Sequence, residues 1–178
     1  NAGKIDLGVA FGTAAPLTFI SQGAGFEIIG GQLSGGHPII AKPENANQFN
    51  DIMGFKGKQV ATTRLFTGDV IWRGALVRAG LDPAKDVEII EMKKASDVLE
   101  AVKAGKADVG IGAPSIYYKA KESGLQVVGW SNDLWPDHPC CRVVARSSQI
   151  NDNPEAYKGF LRALIRAEKL REENVDLS

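Results

Sequence analysis

The chain has 178 residues, 44% of them hydrophobic and 24% charged, with 21 basic and 21 acidic side chains that cancel to a formal charge of zero. That length supports one sizeable domain or two small lobes with a real core, and the charge balance excludes a general nucleic-acid binder, which carries a basic excess. No apolar run reaches the roughly 18 residues of a membrane-spanning helix.

Asn1-Ala2 reads as a remnant of tag cleavage, with strand-like text directly after it, so the lack of a signal sequence says nothing about compartment. Short β-branched runs then alternate with amphipathic stretches, the α/β pattern. Strands are expected at 4–10, 26–33, 37–42, 58–63, 86–91, 107–112, 125–130 and 140–146. A helix over 68–79 has Thr67 as its expected N-cap and Gly80 as its stop. A second, over 97–104, follows Ser96 and ends at Gly105. Pro114 opens a third that ends by Gly124. The last starts at Asn153-Pro154 and places Tyr157, Phe160, Leu161 and Leu164 on one face.

One phrase is written twice. "GKIDLGVAFGTAAP", Gly3 to Pro16, is nearly repeated by "GKADVGIGAP", Gly105 to Pro114. After the "GK-x-D-aliphatic-G" strand of each copy come a turn, an Ala-Pro pair opening a helix, a glycine closing it and a further strand, "GFEIIGG" in the first unit and "GLQVVGW" in the second. Asp6 and Asp108 fall at strand starts, and Gly8 and Gly110 allow close packing. Two matching units imply two α/β lobes: residues 1–57 form a partial lobe one and the first crossing, 58–130 lobe two, and 131–178 the return crossing and a lobe-one helix. Two crossings are what a hinged clamshell needs.

Three stretches carry a family resemblance: "GFKGKQVATTRLFTGDVIWRGALVRAGLDPAKDVEII", "ASDVLEAVKAGKADVGIGAPSIYYKAKESG" and "HPCCRVVARSSQINDNPEAYKGFLRALIRA". Together they resemble the second lobe, and the return from it, of the nitrate/sulfonate/taurine-type substrate-binding proteins of ABC importers. The resemblance implies an α/β, two-lobed, type II periplasmic-binding-protein-like fold, with lobe two complete and lobe one partial. Family members begin with a further strand and helix of lobe one and continue past the last helix here, so the chain reads as an excerpt. Its unpaired lobe-one edges leave a dimer or domain swap open. The resemblance also implies non-covalent capture of a small-molecule solute, a membrane permease as partner, no cofactor and no catalysis. The implied location is periplasmic or extracellular, membrane-associated, with a lipid anchor open in the full-length protein.

In open α/β sheets ligands meet the carboxyl ends of strands, where helix N-termini present free N–H groups. That rule selects Gly12, Thr13 and Ala14, then Gln32, Leu33 and Ser34, from lobe one. From lobe two it selects Arg64 through Asp69, with Phe66, Thr67 and Gly68 among them, and Gly112 with Ala113. Arg64 offers a charge to an anionic group, whereas Asp69 is expected in a first helical turn and would repel one. Trp135 and His138, in the crossing segment "DLWPDHP", either close over a ligand or pack the hinge. Trp72 and Trp130 are assigned to core or rim.

Enzyme motifs are lacking. There is no phosphate loop and no nucleophile elbow, and Gly110-x-Gly112 fails as a dinucleotide fingerprint. His37 lies far from His138 in sequence, leaving His138 with Cys140 and Cys141 as the one candidate metal cluster. Fungal thiamine-pyrimidine synthases resemble the same fold and carry Cys-Cys-Cys-x-Cys near this crossing, but only Cys140-Cys141 match. Cys140 and Cys141 otherwise read as two semi-buried strand residues, a disulfide between neighbours being strained. The alternatives are therefore such an enzyme, or the ligand-sensing domain of a transcription regulator.

Overall fold

The computed structural model describes residues 5–174; Asn1-Ala2, read from sequence as a cleavage remnant, and the Gly3-Lys4 opening of the first phrase lie outside them. Two sheets form. The first has the order β1-β8-β2, with β1 Leu7–Gly12, β2 Phe26–Ser34 and β8 Pro139–Arg146, and β8 runs antiparallel to both neighbours. The second has the order β5-β4-β6-β3-β7, built from β3 Pro38–Ala41, β4 Gln59–Thr63, β5 Glu88–Met92, β6 Val109–Ile111 and β7 Gln126–Trp130. Here β4 is parallel to β5 and β6, while β3 is antiparallel to β6 and β7.

The doubled phrase appears directly in this topology. β6-β3-β7 repeats β1-β8-β2: in each triplet the two strands of one phrase unit flank an antiparallel strand that has crossed from the other sheet. Asp6 and Asp108 stand immediately before β1 and β6. Asp108 Oδ2 accepts the Gln59 N–H at 2.9 Å and Asp6 Oδ1 accepts from Gln149 Nε2 at 2.8 Å, so each carboxylate anchors the foot of its strand to a neighbouring element. The second sheet continues past β6 into β4 and β5, whereas β1 is an edge of the first.

Alternation along the strands divides the core. Ile39, Val60 and Val109 pack with Trp72, Leu76, Phe49 and Phe55. Ile40 and Ala61 face the other way, onto Val98, Leu99, Val102, Ile116 and Ala120, as a two-residue period requires. The second sheet is thus covered on both faces, by α2 (Thr67–Arg78) with two 3-10 turns over 43–55, and by α3 (Ala95–Lys103) with a later helix, Tyr117–Glu122. Gly110 lies under α3; a Cβ there would sit 2.7 Å from Val98 Cγ1 and 2.9 Å from Val102 Cγ2. Lobe one is thinner. Helix Ala14–Ser21 contacts β1 and β2, and helix Pro154–Glu173 reaches β2 through Leu161, whose Cδ2 lies 3.0 Å from where Gly30 would carry a Cβ.

Several expectations shift. The first strand runs 7–12 rather than 4–10, and its register with β8 shifts between Gly8 and Phe11. Residues 38–57, grouped by sequence with lobe one's crossing, contribute β3 and the 3-10 turns to the second sheet's layer. Thr67 is not the N-cap of α2: Phe66 holds that position with extended backbone, and Thr67 is the first helical residue. Likewise the third-layer helix starts at Ala95 after Lys94, so Ser96 is already inside it. Pro114 opens a single 3-10 turn that runs into Tyr117–Glu122. Phe160, expected on the buried face of the last helix, is exposed, while Tyr157, Leu161 and Leu164 are half-buried.

In chain order the helices are now α1 Ala14–Ser21, α2 Thr67–Arg78, α3 Ala95–Lys103, α4 Tyr117–Glu122, α5 Ser131–Leu134, α6 Ser147–Asp152 and α7 Pro154–Glu173.

Candidate functional site

The two lobes are joined by Gly35-Gly36-His37, between β2 and β3, and by the segment from α5 through Trp135 and His138 into β8. Both glycines adopt positive φ, +64° and +86°, and a Cβ on Gly35 would collide with the Asn132 side chain. Only glycine takes this turn without strain. The crossings are tied to each other: Gly35 N–H donates to His138 O at 3.0 Å, Gly36 N–H to Asn132 Oδ1 at 2.7 Å, and His37 N–H to Ser131 Oγ at 3.1 Å. Ser131 Oγ also lies 2.8 Å from His138 Nε2.

Beside these crossings the N-termini of α1 and α2 meet. Thr13 N–H donates to Thr67 Oγ1 at 3.3 Å, joining lobe one to lobe two directly. Both hydroxyls reach the same carbonyl, Cys140 O, at 3.0 Å from Thr13 and 3.3 Å from Thr67. This is why Thr67 is no cap: its hydroxyl spans the crossing. Gly12 lets the pair approach, since a Cβ there would lie 3.1 Å from Thr67 Oγ1. Gly68 plays the same part against His37, whose Cβ would be 2.9 Å away. Arg142, on β8, donates from Nε to Thr13 Oγ1 at 3.2 Å, and it forms no ion pair among the described residues. A guanidinium has five N–H donors in a planar fork suited to oxyanions.

Of the residues selected from sequence, the fold therefore brings together Gly12, Thr13, Thr67 and Gly68, with Ala14 next in α1 and Gly112 linked through His37 Nδ1 at 3.2 Å from its carbonyl. Ala113 follows Gly112 as the cap of the 3-10 turn. Ser34 pairs with Pro139 in the first sheet, and Gln32 on the same strand holds a buried Oε1 with no partner among the described residues. Arg64 does not join the cluster; its side chain is 70% exposed and pairs with Glu91 at 3.7 Å. Phe66 and Trp135 are exposed, Trp135 at the end of α5. Asp69 is buried, but its charge is neutralised by Arg73 at 2.8 Å and it accepts the Leu65 N–H at 3.2 Å. The repulsion it would exert on an anion is largely cancelled. Trp72 is core and Trp130 packs at the rim against Tyr117.

Sequence reasoning missed Arg142, His37 and Ser131. The order of strands was the absent signal: only once β8 is known to lie between β1 and β2 does Arg142 fall beside the N-terminus of α1. The cluster of His138 with the cysteines is also redrawn. It is His37 Nε2 that stands 3.1 Å from Cys140 Sγ, while His138 turns to Ser131. Among the described residues no group of three or more His, Cys, Asp or Glu has the arrangement to hold a metal ion.

Burial dominates the electrostatics. It holds the His37 imidazole down at about 4, aided by the His138 charge and opposed by the bond to Gly112. It lowers His138 as well. It pushes the Cys140 thiol up to about 12, with the Cys141 thiol adding to the effect. Both rings are thus neutral near pH 7.

Residues 2–176 match the model of the NMT1-like family. A protein of Brucella abortus (strain 2308), carrying the provisional name of a binding protein, is 30% identical over 133 residues, which are 73% of this chain and 41% of that protein. The chain thus spans about two fifths of the curated relative's length. Among solved structures, the periplasmic aliphatic sulphonate binding protein SsuA of Escherichia coli matches with a TM-score of 0.81 at 20% identity, over 99% of this chain and 60% of that one. The periplasmic nitrate-binding protein NrtA of Synechocystis PCC 6803 matches with a TM-score of 0.76 at 21% identity, over 94% and 48%. The likeness to both is one of fold, and it makes the architecture a partial type II periplasmic-binding-protein fold. No helix among the described residues is long and apolar enough to cross a membrane. Matched along nearly its whole length by one family model, the chain belongs to the NMT1-like family.

Proposed function

We propose that this protein captures a small anionic solute between its two lobes, without chemistry on it, as the extracytoplasmic solute-binding component of an ABC importer. The observation that carries this reading is the convergence of Thr13, Thr67 and Arg142 on the interlobe crossing. Two helix N-termini, one guanidinium without an acidic partner among the described residues, and two hydroxyls that would exchange their bonds to Cys140 O for the solute form an oxyanion-binding set. The names of the relatives, sulphonate-binding and nitrate-binding, support the same solute class.

Mechanistically, Thr13, at the start of α1, and Arg142, on β8, belong to lobe one and Thr67 to lobe two. A solute held by all three favours the closed arrangement over the open one by its differential contacts, and the closed form is the one a permease recognises. The Gly35-Gly36 turn is where the backbone has the freedom to flex.

The test is a thermal-shift panel of alkanesulfonates, taurine, nitrate and bicarbonate, set against thiamine-type pyrimidines, pyridoxal phosphate and iron. A ligand at 100 times its Kd stabilises the native state by about 2.7 kcal/mol. A rise in Tm with one oxyanion, lost in Arg142→Ala, is expected. A rise only with a pyrimidine, pyridoxal phosphate or iron would sink the reading in favour of an enzyme.

A further inference from the structure

Cys140 and Cys141 are both free thiols, and their sulfurs lie 3.3 Å apart. Neighbours on a regular strand point to opposite faces. Here the ladder with β2 slips: Leu33 pairs with Cys141 and Ser34 with Pro139, so Cys140 is an extra residue of the bulge kind. Bulges re-aim side chains, and this one brings two thiols together at the start of β8.

The thiols end a directed chain of hydrogen bonds. Gly112 O can only accept, so His37 Nδ1, 3.2 Å from it, carries the ring proton. His37 Nε2 is then an acceptor, and the donor facing it at 3.1 Å is the Cys140 S–H. Cys140 Sγ in turn is left to accept from the Cys141 S–H. The chain runs from Cys141 through Cys140 and His37 to Gly112. It links the return crossing to the first crossing and to the end of β6.

We propose that Cys140 and Cys141 are a reversible redox site at the hinge, closed by a hydroperoxide into a vicinal disulfide that frees the His37 ring from Cys140 while the backbone bonds of His37 to Ser131 stay in place. Cys141 is half-buried and Cys140 buried, so Cys141 reacts first. Its sulfur attacks one peroxide oxygen, the O–O bond breaks, and a sulfenic acid and one water (or alcohol) form. Cys140 Sγ then attacks the sulfenic sulfur. The S–S bond forms, the S–O bond breaks, and the hydroxyl leaves with the Cys140 proton as a second water. Two thiols lose two electrons and the peroxide gains two. Burial keeps Cys140 away from the oxidant, and its place 3.3 Å from the Cys141 sulfur supplies the proximity that the second step needs. A ring between adjacent residues is strained, and strained disulfides are the readily reduced, labile ones. With both S–H groups gone, His37 Nε2 loses its donor while its bond to Gly112 remains.

The test treats the purified chain with a small excess of hydrogen peroxide, followed by alkylation, intact mass and peptide mapping. Expected is a monomer lighter by two hydrogens, with both cysteines closed to alkylation and both reopened by a thiol reductant. In Cys140→Ser the reaction stops at a Cys141 sulfenic acid that dimedone traps; in Cys141→Ser, Cys140 stays reduced. The His37 Nε2 signal in 15N NMR shifts on oxidation of the parent chain. Added oxygens on Cys141 with Cys140 still free, a cross-linked dimer, or an oxidised chain whose His37 signal is unmoved would each overturn the proposal.

Discussion

Acidification should unfold this protein through His37, and the size of the effect follows from burial. The ring is buried, with its ordinary value of 6.5 lowered to about 4 in the folded state. Each pH unit between those values costs about 1.4 kcal/mol of stability per group. The unfolded chain takes up the proton first, so the contribution is complete above 6.5 and is lost as pH falls toward 4, roughly 3 kcal/mol in all. His138, also lowered by burial, acts in the same direction. Urea unfolding followed by fluorescence of buried Trp72, at steps from pH 7.5 to 4.5, measures the loss. Carboxylates titrate in the lower part of that range, so the decisive comparison is with His37→Gln. The variant should be the less stable protein at pH 7.5, and its deficit should shrink steadily as pH falls below 6.5. A deficit that stays constant with pH would refute the reasoning, because His37 would then hold a proton equally well folded and unfolded.

Three further outcomes test the architecture. Gly110→Ala drives a methyl into Val98 and Val102 under α3 and should cost about 1–3 kcal/mol of unfolding free energy in urea titration. Gly74→Ala, at an exposed position within α2 where a Cβ meets nothing within 4 Å, should instead raise stability by about 0.5–1 kcal/mol, so calorimetric Tm values of the two variants should move in opposite directions. Asp108→Ala removes the acceptor for the Gln59 N–H and should destabilise by about 1–3 kcal/mol, with faster amide exchange at Gln59 as its local signature.

How much of this was legible in the sequence depends on the range of the interaction. The second lobe was readable because its strands are short runs rich in β-branched residues and its helices end at glycines in the left-handed region, Gly80, Gly105 and Gly124. The doubled phrase was readable because its spacing is written out in the sequence, although the bonds of Asp108 to Gln59 and of Asp6 to Gln149 reach distant parts of the chain. Thr13 and Thr67, both selected from sequence, do meet at the crossings, but Thr67 does so through an unforeseen contact: a threonine beside a helix start looks like a cap until the carbonyl of Cys140 is brought to it from 73 residues away. Arg64 looked suited to an anion by position, and Glu91 on a neighbouring strand takes its charge. His37 and Arg142 were invisible for the same reason, since each acquires its role only when two crossings are laid side by side.

The most direct test of the account is a crystal structure of the protein with the oxyanion that raises its Tm most. The account predicts density between the lobes, with solute oxygens within hydrogen-bond reach of Thr13, Thr67 and the Arg142 guanidinium. The molecule offers a real alternative, an apolar groove of about 450 Å³ beside α1 lined by Phe11, Phe19 and Phe26. Solute found there, with Thr13 and Thr67 still bonded to each other and to Cys140, would contradict it.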